Sequence, residues 1–149
     1  MRKVEVITNI RSKPSKIISA FTDPDMLREW WNVERTLIDT RPDGLYALAW
    51  NISPKGFGFV STGITKTYHP DSTLIVDNFL YLNPEKSFLG PMTLAIRAQP
   101  TASLTELYLC QDGYQDGGDW DWYYEAVKEA WPATVQTLKD YLEAKPKIE

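Results

Sequence analysis

The groups from which this chain could build chemistry are few: one histidine, one cysteine and a handful of charged residues set inside alternating apolar stretches. His69 precedes Pro70 between two apolar runs, where a turn is expected. A histidine-based dyad needs a nucleophile and an orienting carboxylate, and no Gly-x-Ser-x-Gly element is present to supply the nucleophile. The reading for His69 is a solvated turn residue. With one His and one Cys, a zinc site would have to be rich in carboxylates, and no HExxH spacing occurs, so no metal is expected. Cys110 has no partner for an intrachain disulfide. Gly56-Phe57-Gly58 is too sparse to cradle a phosphate and no Walker motif exists, so no cofactor is expected either. Asp39, Asp77, Arg97 and Glu106 fall within expected strands. A charged group turned inward would have its pKa shifted by desolvation and pairing, which is how acids, bases and anchors are made. Solvent-facing placement is the default. Asp77 is the exception, since strict alternation puts it on one face with Ile75, Phe79 and Tyr81, and it is the one catalytic candidate.

A second resource is aromatic surface, at 13% of residues with six Trp and eight Tyr. Aromatics at this density line something. The net charge of -4 argues against nucleic acid, whose binding depends on Lys and Arg neutralising phosphates. No apolar run reaches the ~18 residues of a membrane span, and the first residues lack the apolar core of a signal peptide. The expectation is one cytoplasmic domain over residues 1–149, with no membrane insertion.

These residues need elements to hold them. Val4, Val6, Thr8 and Ile10 alternate as in a strand. Ser12-Lys13-Pro14 opens one short helix, and Thr22-Asp23-Pro24-Asp25 opens another, with Thr22 or Asp23 as cap and Pro24 in the first turn. From Thr36 to Gln111, five or six strands fit between turn signals such as Arg41-Pro42-Asp43-Gly44 and Asn83-Pro84-Glu85-Lys86. Strands joined so closely form an antiparallel sheet. Gly117-Gly118 uncouples the sheet from a final helix over Asp119 to Leu142, capped by Asp119. Its apolar stripe is Trp120, Tyr124, Val127, Trp131, Val135, Leu138 and Leu142, with Trp122 and Tyr123 beside it. Pro132 predicts a kink near Lys128 or a restart at Trp131.

Alternation nominates the residues that face the helix: Tyr46, Leu48 and Trp50 in one strand; Phe59, sharing a face with Phe57; Phe79; Leu94 and Ile96, with Met92 and Ala98; and Leu107, between Thr105 and Leu109. From the helix come Tyr124, Val127 and Trp131, with Val135 to Leu142 closing the core. Trp30 and Trp31 are adjacent and point about 100° apart on a helix. Either Trp30 and Trp31 divide between packing and rimming a cavity, with Trp31 the rim candidate, or both cap the core edge. For any one of these residues simple packing is the alternative to ligand contact.

Several segments carry a resemblance. Thr22-Asp23-Pro24-Asp25-Met26-Leu27-Arg28-Glu29-Trp30-Trp31, Asp39-Thr40-Arg41-Pro42-Asp43-Gly44, Gly63-Ile64 before Tyr68-His69-Pro70 and Leu74, Thr105, Leu107 and Leu109 before Gly113-Tyr114, and Trp131 with Leu138 and Leu142 together resemble the activator of Hsp90 ATPase homologue (AHSA1-like) family of the START-like, Bet v 1-like (SRPBCC) superfamily. Asp43 stands where that family often has a glycine, and Thr101-Ala102-Ser103 replaces a commonly glycine-rich turn. The resemblance implies an α+β helix-grip fold: a curved antiparallel sheet of about six strands wrapped around the C-terminal helix, two short helices after the first strand, and a cavity between sheet and helix. It implies a partner that is a small apolar or lipid-like molecule. The superfamily also holds cyclases, hydratases and hydrolases, and the family name implies a chaperone partner, so an enzyme using cavity polar groups and an Hsp90-type interaction domain remain alternatives. Neither a ligand's identity nor an oligomeric state follows from the residues.

Overall fold

The computed structural model describes residues 2–144. Among them the element order is β1 (Lys3–Ile10), α1 (Pro14–Ser19), α2 (Pro24–Trp31), β2 (Arg35–Ile38), β3 (Leu45–Trp50), β4 (Phe59–His69), β5 (Thr73–Leu82), β6 (Leu89–Pro100), β7 (Thr105–Asp112) and α3 (Asp119–Glu143). The architecture is α+β, the helix-grip arrangement, with seven strands in one antiparallel sheet of order β1-β7-β6-β5-β4-β3-β2. From β2 to β7 each strand pairs with the next, and β1 then adds to β7. No helix of the described residues is long and apolar enough to cross a membrane.

Local chemistry explains the boundaries. Asp23 caps α2, its Oδ1 accepting from the backbone N–H of Asp25 at 2.8 Å and of Met26 at 3.4 Å, and Pro24 starts the first turn. Asn32 ends that helix in the left-handed conformation, φ 58°. Helix α1 has no side-chain cap; the Ser12 carbonyl instead accepts from the Thr105 hydroxyl at 2.6 Å, tying the helix start to β7. Asp43 occupies the turn before β3 at φ 69°, the reason a glycine suits this position, and an Asp tolerates it better than most residues. Gly44 follows with no room for a side chain, since a Cβ there would lie 2.6 Å from the Asp39 carbonyl oxygen.

One expectation for α3 is corrected, and of the two alternatives at Pro132 the restart is excluded. The cap position is Gly118, and Asp119 is the first helical residue, its carboxylate accepting from the Ser87 N–H at 2.7 Å and hydroxyl at 2.5 Å. The carboxylate thereby fastens the β5–β6 loop to the helix start instead of closing on its own helix. The helix also runs unbroken through Pro132, without a restart at Trp131.

The core is one continuous cluster whose two ends differ. At one end α1 packs on β6, and the chain between α1 and α2 closes over β3, with the Tyr46 hydroxyl donating to the Phe21 carbonyl at 2.7 Å. Val135 and Leu138 of α3 are buried in the same continuous core, and α3 packs on β1 and α2. At the other end, the first half of α3 stands over the ends of β3, β4 and β5. Bulges curve the sheet: the β4–β5 pairing slips between Thr62 and Ile64 and between Thr65 and Thr67, and the β5–β6 pairing between Val76 and Phe79 and between Phe79 and Tyr81.

The slip on β5 decides the fate of Asp77. Val76 pairs with Leu94 and Phe79 with Met92, so β5 spends one residue more than its neighbour over this step. Asn78 takes up the extra residue at φ 49°. The phase inverts across it: Leu74 and Val76 face the core before the bulge, Phe79 after it. Ile75 and Asp77 therefore do not share a face with Phe79 and Tyr81, contrary to the alternation argument. Asp77 lies on the outer face, 3.4 Å from Lys66 Nζ and accepting from the Thr93 hydroxyl at 3.2 Å.

Candidate functional site

Between the first half of α3 and the sheet lies a cleft of about 510 Å³. Its wall is a closed circuit of rings. Trp131 meets Trp31 with centroids 5.6 Å apart, Trp31 meets Trp50 at 5.1 Å, and Trp50 stacks on Phe59 at 5.2 Å. Phe59 meets Tyr81 at 6.3 Å, and Tyr81 lies 4.8 Å from Tyr123. Gln111 joins the two ends: Trp131 Nε1 donates to its Oε1 at 2.7 Å, and its Nε2 donates to Tyr123 Oη at 2.9 Å. Separations of 4.5–7 Å and mixed tilts are those that favour aromatic pairs.

Each element contributes for a local reason. Trp30 and Trp31 end α2 with their rings stacked, centroids 5.0 Å apart: Trp30 is buried and donates from Nε1 to the Ala20 carbonyl at 2.8 Å, whereas Trp31 lines the cleft. Trp50 closes β3 with its indole N–H given to the Trp31 carbonyl at 3.0 Å. The bulge at Asn78 turns Phe79 and Tyr81 inward, and both line the cleft. Gln111 continues the inward phase of Thr105, Leu107 and Leu109 on β7 and is only 1% exposed. The indoles of Trp50 and Trp131 spend their N–H groups on protein acceptors, so they offer ring faces to an occupant.

Of the residues nominated from sequence, Trp31, Trp50, Phe59, Phe79, Val127 and Trp131 line this cleft. Tyr46, Leu48, Leu94, Ile96 and Leu107 face inward but do not line it. They are buried in the core, where Tyr46 lies against the α1–α2 connection through its bond to Phe21. Tyr124 points elsewhere: its ring packs edge-on against Tyr114 at 5.2 Å, under the Arg2 guanidinium at 4.6 Å. The buried row of α3 runs Tyr123, Val127, Trp131, Val135 and Leu138: Tyr123 takes the place expected of Tyr124, and Trp120 and Leu142 at the ends of the expected stripe are only partly buried. Phe57 lies outside β4, beyond Gly58, and is largely exposed.

Sequence reasoning passed over the features that make space. Trp122, Ala126, Ala130 and Thr134 recur every fourth residue and line the cleft beside the buried row. Small side chains in that row leave the sheet uncovered, and their i, i+4 spacing was a readable signal. Ser61, in phase with Phe59 on β4, and Gln111 were readable as polar residues in inward positions.

The electrostatics are plain. Among the described residues no carboxylate, guanidinium, ammonium, imidazole or thiol lines the cleft. Burial pushes the Tyr123 phenol up from its ordinary pKa, against the opposing effect of Gln111, so it stays protonated near neutrality. The arrangement can enclose an apolar body and exchange hydrogen bonds at a few points; it holds no group that changes charge near pH 7.

No curated protein matches the chain. Among solved structures it is similar to a protein from Mesorhizobium loti at 20% identity and TM-score 0.76, covering 97% of this chain and 99% of that one. The Aha1 dimer from Colwellia psychrerythraea is similar at 16% identity and TM-score 0.70, with coverage of 97% and 98%. The AHSA1 protein from Silicibacter pomeroyi is similar at 14% and 0.72, with coverage of 95% and 97%. At such identities the likeness concerns the fold. The model of the family described as Activator of Hsp90 ATPase homolog 1-like protein matches residues 11–143, and the chain belongs to that family.

Proposed function

We propose that the protein binds a small, mostly apolar molecule in the cleft between the sheet and the first half of α3. The observation that carries this reading is the closed aromatic circuit around a space of about 510 Å³ with no charged side chain on it. That volume falls in the range of small-molecule sites, and apolar walls with a few polar groups are their usual composition. Binding is favoured over acid–base catalysis because a catalytic pair needs groups poised near the working pH. Asp77, the candidate from sequence, faces the opposite side of the sheet, and the Tyr123 phenol is kept protonated by burial.

Native mass spectrometry of the purified protein, with displacement of a hydrophobic fluorescent dye, tests the reading. One dye molecule is expected per chain. Ala130→Phe puts a ring into the small-residue row and is expected to abolish dye uptake, while changing stability by no more than about 0.5 kcal/mol, because Ala130 is exposed. Undiminished uptake by that variant, or no uptake by the natural chain, refutes binding in this cleft.

A further inference from the structure

The direction of the hydrogen bonds at the cleft floor is forced by the chemistry of their atoms. An indole nitrogen donates and cannot accept, so Trp131 Nε1 gives its hydrogen to Gln111 at 2.7 Å. The receiving atom is then the Gln111 carbonyl oxygen, which fixes the amide and turns its nitrogen toward Tyr123 Oη at 2.9 Å and Met92 Sδ at 3.3 Å. An amide nitrogen has only hydrogens to offer. Tyr123 Oη must accept, and its own hydrogen must point elsewhere. Among the described residues no acceptor receives that hydrogen, and Tyr123 lines the cleft while being only 5% exposed.

We propose that the cleft selects an uncharged, flat ligand bearing a carbonyl-type acceptor, and that the Tyr123 phenol donates to that acceptor. This rests on the ligand-binding reading above and specifies what the ligand carries. An anion would be desolvated against ring faces with no cation on the lining to balance it. A cation finds π faces, which attract it, but meets the positive end of the Tyr123 O–H dipole at the floor. A neutral acceptor satisfies the Tyr123 donor, and the ring faces that Trp50 and Trp131 turn to the cleft suit a planar body laid against them.

Four probes share a naphthalene body and differ in one substituent: 2-acetylnaphthalene, its isostere 2-isopropenylnaphthalene, 2-naphthoate and 2-naphthyltrimethylammonium. Each is titrated against dye-loaded protein. The ketone is expected to bind roughly 3- to 10-fold more tightly than the alkene, the range for one neutral hydrogen bond. Both ions are expected to bind at least about 10-fold more weakly than the ketone, for want of a balancing charge. In Tyr123→Phe the ketone-to-alkene ratio should fall to within about 2-fold, with alkene binding kept. Equal affinity of ketone and alkene for the natural chain overturns the proposal while leaving binding in the cleft intact, and it needs no variant. An ion binding as tightly as the ketone overturns the neutral-ligand selection. An unchanged ratio in Tyr123→Phe overturns the assignment to that phenol. Failure of all four probes, with no dye uptake, overturns the ligand-binding reading and this proposal with it.

Discussion

Gln111→Leu removes the one side chain that ties β7 to both ends of the aromatic circuit. Leucine is close to glutamine in size, so little cavity is created and the loss is nearly all polar. Three hydrogen bonds disappear: those with Trp131 and Tyr123, at 2.7 and 2.9 Å, each with a net contribution of about 0.5–1.5 kcal/mol, and the weaker one to Met92 Sδ at 3.3 Å. The Trp131 N–H then has no acceptor in a residue only 7% exposed, and a buried orphan donor costs about 1–3 kcal/mol in place of its lost bond. The Tyr123 hydroxyl is freer, because it lines the cleft and water can replace the amide donor. Burying leucine instead of an amide returns part of the cost, leaving a destabilisation of roughly 2–3 kcal/mol. In a chain of this length that is a fall of roughly 5–10 °C in Tm.

Urea titration gives the free energy, with an unchanged slope as the sign that the folded state keeps its compactness. Pairing the change with Trp131→Phe isolates the mechanism. Without the indole there is no orphan donor, so the double variant should lose about 1–2 kcal/mol less than the sum of the two single variants. A loss below about 0.5 kcal/mol for Gln111→Leu, or costs that simply add, would refute the claim that Gln111 and Trp131 form one hydrogen-bonded unit.

Trp131→Ala deletes a buried indole and should cost about 3–5 kcal/mol; a loss under 1 kcal/mol in urea would mean that the residue is not core. Asp23→Ala removes the acceptor for two N–H groups at the start of α2 and should cost about 1 kcal/mol by thermal or urea denaturation. Asp39 accepts from the Arg41 guanidinium and backbone N–H, which hold its carboxyl at a pKa of about 2. Because this folded value lies below the ordinary carboxylate value of about 3.9, the contribution is present above that pH and is lost as pH falls through about 2. A carboxyl-carbon NMR titration should place the midpoint there and Arg41→Ala should return it to the ordinary range; a natural-chain midpoint near 4 contradicts the pairing.

The parts of the fold that could be read from the chain are those fixed by local rules. Asp23-Pro24 announces α2 because capping and proline geometry act within one turn. Strands β3, β6 and β7 kept their expected faces because side chains alternate wherever no residue is inserted. Alternation failed on β5 because one extra residue at Asn78 reverses every side chain beyond it, and that insertion is defined by the partners' register. It placed Asp77 outside and Tyr81 inside, the opposite of a shared face. Inward direction was also not enough to locate a cleft: Leu94, Ile96 and Leu107 point the right way but are packed in the core and do not line it, and what lies opposite a strand is a tertiary fact.

On α3 the ambiguity had a different origin. Tyr123 and Tyr124 are adjacent and alike, so a stripe drawn through large residues fits either, and a four-residue repeat drifts slowly around a helix of 3.6 residues per turn. Large apolar residues report what is packed. Space is reported by small residues standing where a large one would otherwise close the gap. The row Trp122, Ala126, Ala130 and Thr134 does this: it begins with a ring at the mouth and continues with side chains too short to reach the sheet. Had that row carried leucines, the same aromatic circuit would be a filled core, and the unshared hydrogen of Tyr123 would have nothing to meet. The cleft depends as much on two alanines as on the six rings around it.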